Sequence, residues 1–396
     1  MLTSEQKDAV LESMIQHLES IRQELIQINK QELDAFAGGD KAMYDRLKVD
    51  DAKVGDMKKS IRDVIRQDDP IGKSLYRFNH PNGMSVENKT APFGTIMIIY
   101  ESRPDVTIEA AAIAFKSGNR ILLKGGKESR QSNLLLVDCW HRALQDHKLP
   151  IEWIHYLDYN REKTQTFLKQ PTERIDLIVP RGGDGLINFV KAHASCPVLV
   201  SGRGNNFLYI DKAGDWDKAL KIIRNGKLDK ISACNALDKV LIDKNIPDYK
   251  SKAIQLIKEL MIENVTVISN IKTDNGLNPE SWSDDAVMYE EFLDYKILID
   301  ITEDVHTAIQ TINQYSGGHS STIITEDKNT AEIFMNAVDA AAVYQNASTR
   351  FTDGGHMGLG AELAISTDKL HHRGPLGLDQ LVTNKWHVHG DGQIRE

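Results

Sequence analysis

Cysteine side chains offer the softest nucleophile available to a protein, and this 396-residue chain has three of them in different settings. Cys139 falls on the apolar face of a helical stretch and Cys196 directly precedes the apolar run PVLV, so both read as core, where a free thiol packs as a small hydrophobe. Cys234 lies in KISACNALDKVLI, among small residues just before a strand. Lys227 and Lys230 upstream would favour its thiolate if they fold near it. On composition alone Cys234 is a candidate nucleophile, with a structural role as the alternative. The odd count and the absence of CxxC spacing suit free thiols in a reducing compartment.

Two glycine turns could hold an anion. LLKGGKESRQS at 122–132 follows a strand and opens a helix, where backbone N–H groups and the helix dipole attract phosphate. It is not a P-loop, because position 121 is Ile and position 128 is Glu. Two glycines easing a turn between solvated lysines is the alternative. VPRGGDGLINFV at 179–190 repeats the arrangement, and two such turns in one domain suit the phosphates of a dinucleotide, although GxGxxG itself is absent. The Gly-rich segment NASTRFTDGGHMGLGAELAIST at 346–367 gathers hydroxyls, an amide, Arg350 and Asp353, and reads either as a surface loop or as a functional one. His371 and His372 are adjacent and share no helix face, and His387 and His389 lack an obvious third ligand, so no metal site is expected.

Positioning these residues requires several packed elements. The length suggests roughly two or three domains, and 41% hydrophobic with 27% charged residues is an ordinary globular balance. A net charge of -9 without a basic stripe argues against nucleic acid as a partner. The N-terminus is polar and charged where a secretory signal needs an apolar stretch, and no apolar run approaches the ~18 residues of a membrane span. A cytoplasmic protein is the expectation.

Val10, Met14, Leu18, Ile21, Leu25 and Ile28 recur at helical spacing, which predicts one long amphipathic helix stopped by Gly38-Gly39. A second helix ends before Pro70, and Pro81-Asn82-Gly83 between extended runs predicts a β-hairpin over 72–91. From Phe93 short β-branched runs alternate with helical ones: TIMIIY, RILLK, WIHYL, DLIVP and PVLVS, then KVLID, VTVIS, YKILIDI and STIIT. Strand–helix alternation means parallel sheets covered on both faces, in two α/β units. The tail TNKWHVHGDGQIRE reads as a strand able to add to a sheet edge, including that of another subunit.

Several segments in order resemble the gamma-glutamyl phosphate reductases, or glutamate-5-semialdehyde dehydrogenases, of the aldehyde dehydrogenase superfamily. They are PFGTIMIIYESRPDVTIEAAAIAFKSGN, ILLKGGKES, DLIVPRGGDGLI, CNAL, NASTRFTDGG, GLGAE, LHHRGPLGL and GQIR. The resemblance implies an α/β, aldehyde dehydrogenase-like fold: two doubly wound parallel-sheet domains plus an oligomerisation arm of hairpin and C-terminal strand. It implies a cofactor domain over 1–225, with the 72–91 hairpin in the arm, a catalytic domain over 226–358, and a return over 359–396. By position Cys234 would be the nucleophile, Lys124 would meet the adenine-side ribose, and Lys127 the 2′-phosphate of NADPH. Arg181, Gly182 and Gly183 would form the pyrophosphate turn, and Glu291 would reach the nicotinamide ribose. Arg103, Asn346, Ser348, Thr349 and Arg350 would bind substrate. Position 105 is Asp where the family commonly has Asn, position 356 is His where an acid is common, and Arg-Pro is missing before Cys234.

The implied reaction is reduction of gamma-glutamyl phosphate to glutamate-5-semialdehyde by NADPH, the second step of proline biosynthesis, through a thioester. A hydrolytic aldehyde dehydrogenase needs a carboxylate base, usually in Glu-Leu-Gly-Gly, and the corresponding stretch here, VLVSGRGNNF, has none. That disfavours the alternative, a non-phosphorylating aldehyde dehydrogenase of the same fold. A scaffold that lost catalysis would be expected to lack Cys234. The reductase half of a bifunctional synthase is a further alternative, but no kinase-like segment precedes it; functional coupling to a glutamate 5-kinase is a partner expectation. A homodimer or homotetramer is expected.

Overall fold

The computed structural model describes residues 2–36, 41–273 and 276–395. It divides into two compact units: Met1–Val200 with Gly358–Ala364 and Leu376–Glu396, and Ser201–Met357 with Ile365–Pro375.

The first unit opens with α1 (Ser4–Ser20), whose start is fixed by a capping box: the Thr3 hydroxyl accepts from the Gln6 N–H, and the Gln6 side chain accepts from the Thr3 N–H. The single long helix expected here is broken at Ile21, after which α2 (Arg22–Ala35) begins; Gly38 and Gly39 lie outside the described residues. Then come α3 (Lys41–Leu47) and α4 (Asp51–Ile65), before the hairpin β1 (Ser74–Asn79) and β2 (Ser85–Pro92). The alternation follows as β3 (Thr95–Tyr100), α5 (Pro104–Lys116), β4 (Arg120–Lys124), α6 (Arg130–Asp146), β5 (Ile154–Tyr156), α7 (Arg161–Lys169), β6 (Leu177–Arg181) and α8 (Asp184–His193).

Strands β3 to β6 form a parallel sheet in the order β5-β4-β3-β6. The chain winds one way from β3 to β5 and then crosses back to place β6 on the other side of β3. The crevice beyond the carboxyl ends of β3 and β6 is therefore a topological switch point, the place where open α/β sheets bind ligands. Val10, Leu11, Met14 and Leu18 of α1 share one buried core with α5, α6 and β3, which explains why the N-terminal helices belong to this unit. PVLVS does not form a strand; Val198 makes an isolated bridge to Ile178. The C-terminal strand Val382–His389 pairs along its length with β2.

The second unit runs β7 (Asn206–Ile210), α9 (Trp216–Leu228), β8 (Leu237–Asp243), α10 (Tyr249–Ile262), β9 (Thr266–Ile268), α11 (Ala286–Tyr289), β10 (Lys296–Thr302), α12 (Val305–Tyr315), β11 (Ser320–Ile324), α13 (Lys328–Ala337) and β12 (Ala342–Gln345). Its parallel sheet has the order β12-β11-β7-β8-β10-β9. The short antiparallel pair β13 (Ile365–Ser366) and β14 (Gly374–Pro375) joins this unit. The division after Val200 differs from the expected limit near residue 225. The physical reason is β7, which pairs between β8 and β11 with all of its NFLYI residues buried, so residues 206–228 pack with the second sheet. Residues 365–375 likewise depart from the expected return to the first domain.

Candidate functional site

Cys139 is buried and its thiol is pushed up to about 12 by that burial. Cys196 is half-buried against an apolar cluster, and burial raises its thiol too, with Asp176 adding to the effect. Cys234 is the exposed cysteine. It sits in the turn before β8, at the amino end of the second sheet, and its backbone is held from two sides.

On one side the Asn206 amide donates to three carbonyls, Gly204 at 2.9 Å, Cys234 at 2.8 Å and Ala236 at 2.6 Å. Gly204 must be glycine here, since a Cβ would fall on the Cys234 backbone. On the other side Asn235 donates to the carbonyls of Arg350 (3.1 Å) and Thr352 (3.0 Å), while the Thr349 hydroxyl donates to the Asn235 carbonyl at 2.8 Å. The cysteine turn and the STRFT segment are thus stitched together, which places Ser348, Thr349 and Arg350 beside the residue that follows Cys234. Ser348 accepts from the Arg350 N–H, and the Arg350 guanidinium pairs with Asp229 at 3.1 Å.

Asn346 lies elsewhere. It follows β12 at the carboxyl end of the sheet, with φ +53°, and its amide is exchanged with the Thr325 backbone: Thr325 N–H donates to Oδ1 at 3.0 Å and Nδ2 donates to the Thr325 carbonyl at 2.9 Å. Lys227, expected to favour the Cys234 thiolate, is fully buried in an ion pair with Asp238 at 3.0 Å; Lys230 is exposed. A polar chain that sequence reasoning missed runs from His319 through Ser320 to Thr352 and Tyr344, with steps of 2.7, 2.7 and 2.8 Å. Burial pulls the His319 imidazole down to about 4, so it is neutral at pH 7. Its only signal in the sequence is the polar run GGHSS at the start of β11.

Glu291 lies in the segment between α11 and β10, partly buried, with both neighbours anchored. The Glu290 carbonyl accepts from Lys239 Nζ at 2.7 Å, and the Phe292 N–H donates to Asp238 at 3.0 Å.

In the first unit, Arg103, Arg181, Gly182 and Gly183 follow or end β3 and β6, whose carboxyl ends bound the switch-point crevice, and Lys124 and Lys127 end and follow the adjacent strand β4. Lys124 is half-buried, donates to the Gly125 carbonyl at 2.6 Å, and has its ammonium pulled down by desolvation, opposed by Asp158 and Glu128. Lys127 is exposed at the next turn. Arg181 donates to the Leu363 carbonyl. The Gly183 N–H at the start of α8 donates to the Glu101 carboxylate at 3.2 Å, and a Cβ on Gly183 would meet open space. Glu128 accepts from Ser102 at 2.7 Å in the neighbouring turn. The α8 turn therefore already receives an anionic oxygen on its backbone, and the half-buried Lys124 stands at the other; this donor set fits a dinucleotide phosphate. Arg103 pairs with Asp105 at 3.1 Å, which Lys53 also meets at 2.6 Å. Burial opposes the Asp105 charge, but Arg103 and Lys53 outweigh it and hold the carboxyl well below its usual range.

No family model matches the chain. The gamma-glutamyl phosphate reductase of Clostridium beijerinckii is 39% identical over 399 residues, spanning 99% of this chain and 95% of that protein. The crystal structure of gamma-glutamyl phosphate reductase from Thermotoga maritima superposes with a TM-score of 0.93 at 36% identity, over 100% of this chain and 95% of that one. An engineered glycolyl-CoA reductase with bound NADP+ shares the fold at a TM-score of 0.70 and 15% identity, over 98% of this chain and 92% of that one. With an α/β architecture of two parallel sheets and this identity over nearly the full length of both proteins, the chain belongs to the gamma-glutamyl phosphate reductase family of aldehyde-group oxidoreductases.

Proposed function

We propose that the chain reduces gamma-glutamyl phosphate to L-glutamate 5-semialdehyde with NADPH and releases phosphate, in the cytoplasm, as the second step of proline biosynthesis. The observation that carries this reading is the exposed Cys234 on a backbone pinned by Asn206 and Asn235, in a chain whose full-length relatives bear that enzyme's name. The Cys234 thiolate attacks the acyl carbon; a C–S bond forms, the bond to the phosphoryl oxygen breaks, and phosphate leaves with the electron pair. NADPH, when bound, supplies the hydride that takes the thioester to the aldehyde level. Release of the C–S bond then returns Cys234 as thiolate. Pinning the Cys234 and Asn235 carbonyls holds the backbone that carries the sulfur in one place through both halves of the reaction. Lys124, Lys127, Arg181, Gly182 and Gly183 would hold the dinucleotide phosphates and adenine ribose, and Glu291 the nicotinamide ribose. Arg103, Ser348, Thr349 and Arg350 would hold the substrate; Asn346, two residues before Ser348 and fixed on the Thr325 backbone, would act on it by anchoring the chain that leads into that segment.

The reverse reaction tests the proposal. Glutamate-5-semialdehyde and NADP+ should yield reduced cofactor, read by absorbance, only when phosphate is present. Equal rates without phosphate would mean a non-phosphorylating aldehyde dehydrogenase.

Replacing Lys127 by Ala is expected to weaken NADPH far more than NADH, because the 2′-phosphate is the one group that distinguishes them. A charge-assisted contact contributes roughly 1.5 to 3 kcal/mol, or about tenfold to a hundredfold in affinity. Lys124→Ala should weaken both cofactors, since a ribose contact is common to them. Equal losses for NADPH and NADH in Lys127→Ala would remove the 2′-phosphate assignment.

The arm gives a second expectation. Strand β1 is exposed along its whole length, and Leu75, Tyr76, Phe78, Trp386 and Val388 stand on the three-stranded ribbon as exposed apolar side chains. Such a surface is costly to leave in water, and a second copy of the chain would cover it, as a dimer or tetramer. Truncation after Thr383 should yield a smaller species in sedimentation; an unchanged oligomer would place the interface elsewhere.

A further inference from the structure

Lys239 is the least expected charge in the second unit. It lies on β8, five residues after Cys234, and is fully buried. Its ammonium donates to Asn205 Oδ1 at 2.9 Å and to the Glu290 carbonyl at 2.7 Å, and stands 3.7 Å from the centroid of the Phe292 ring. Asn205 is itself fixed, with its amide donating to the carbonyls of Met288 at 2.7 Å and Tyr315 at 2.9 Å. The next residue back, Asp238, takes the Phe292 N–H at 3.0 Å. Consecutive residues of β8 thus grip residues 290 and 292, one on each side of Glu291.

The charged groups around this ring are few. Lys296 on β10 lies 5.0 Å from the Phe292 centroid and Lys227 on α9 lies 5.9 Å from it, and Asp238 is the carboxylate paired with Lys227. Glu290 carries an exposed carboxylate beyond its carbonyl. Desolvation is the main influence on the Lys239 amine; with the nearby lysines opposing Asp238 and Glu290, it is pulled down to about 7. A buried cation of this kind disfavours folding unless every donor is directed, and where it persists it fixes geometry more than it adds stability. A neutral side chain would fill the same volume without ordering the 290–292 backbone.

We propose that Lys239 is a positioning residue for the reaction: its buried ammonium fixes the Glu290–Phe292 segment and so aims the Glu291 carboxylate at the bound dinucleotide. This rests on Glu291 acting as a cofactor contact, as proposed above. The test is a double-mutant cycle on the NADPH dissociation constant of the full-length protein, followed by cofactor fluorescence, with wild type, Glu291→Gln, Lys239→Met and the pair. Each single change is expected to weaken NADPH about tenfold, and the pair should be no weaker than the worse single change within twofold, because both remove one contact. Lys239→Gln, which keeps a hydrogen-bond donor, repeats the cycle should the methionine variant fail to fold. If Glu291→Gln weakens NADPH but the Lys239 change leaves it within twofold, or adds its full loss on top of Glu291→Gln, the positioning role is overturned and the Glu291 reading stands. If Glu291→Gln has no effect, that reading falls, and any Lys239 effect belongs to the fold alone.

Discussion

Cys234→Ala is expected to lower turnover by on the order of 10⁴-fold or more while leaving the NADPH dissociation constant within about twofold of wild type. The asymmetry follows from what the sulfur does. It makes and breaks the covalent bond to the acyl group, and none of the proposed phosphate or ribose contacts passes through it. Alanine removes the sulfur and leaves the Cys234 carbonyl, which Asn206 holds at 2.8 Å, so the turn should keep its shape. Cys139→Ala should retain substantial turnover, since that thiol is buried and pushed up to about 12, far from the ionised form a nucleophile needs. Cys196→Ala should do the same. Steady-state rates and a fluorescence titration on the three variants decide the matter. Ordinary turnover in Cys234→Ala, or its loss in Cys139→Ala with the fold intact, would place the nucleophile elsewhere.

The parts of the fold legible in the sequence were those whose periodicity is undiluted. TIMIIY, RILLK, KVLID and YKILIDI became strands, and Asn82-Gly83 closed the hairpin, because short β-branched runs and turn residues act locally. NFLYI and the amphipathic WDKALKIIRNGKL carry signals just as strong, with Asp215 capping the helix through the Lys218 N–H. They lie in the stretch 206–228 that the expected cofactor domain covered, and only the pairing of β7 with β8 and β11 assigns them to the other sheet. Pairing between distant strands has no local signature. PVLVS failed as a strand for a related reason: apolar runs also pack as extended coil, and Val198 finds a single bridge.

The candidate site divides the same way. Residue types and turns were visible: a cysteine among small residues just before a strand, two glycine turns at strand ends, and a separate Gly-rich segment carrying hydroxyls. Their supports were not. Asn206 stands 28 residues from Cys234, and Asn235 meets Thr352 across 117 residues, so neither contact leaves a spacing to read. Lys227 shows the opposite error, in which nearness in sequence suggested help for the thiol while the fold directs its ammonium to Asp238. Glu101 and Glu128 accept at the two glycine turns, from the Gly183 N–H and the Ser102 hydroxyl, contacts that no spacing in the sequence announces.

Lys227→Met is expected to destabilise the second unit by about 3 to 5 kcal/mol, the usual consequence of breaking a buried ion pair by removing one partner. Both side chains are almost wholly withdrawn from solvent, with relative exposures of 0% and 2%, so the surviving Asp238 carboxylate would have no water to turn to. In the intact protein, burial lowers the Lys227 amine and Asp238 opposes that effect, which means that each ion is tolerated because of the other. Removing both is therefore expected to cost less than removing one. Lys227→Met combined with Asp238→Leu should recover part of the loss. A residue of roughly 1 to 3 kcal/mol should remain, because the Phe292 N–H, which donates to Asp238 at 3.0 Å, loses its acceptor in a buried place. Equilibrium denaturation by urea, followed at Trp216 and Trp282 in the second unit, compares the single and double variants directly. A Lys227→Met variant within 1 kcal/mol of wild type, or a double variant less stable than the single one, would show that the pair is not the closed unit its burial implies. The same double variant bears on the cofactor: with one of the two grips beside Glu291 gone and Lys239 still in place, NADPH affinity should fall by less than in Glu291→Gln itself.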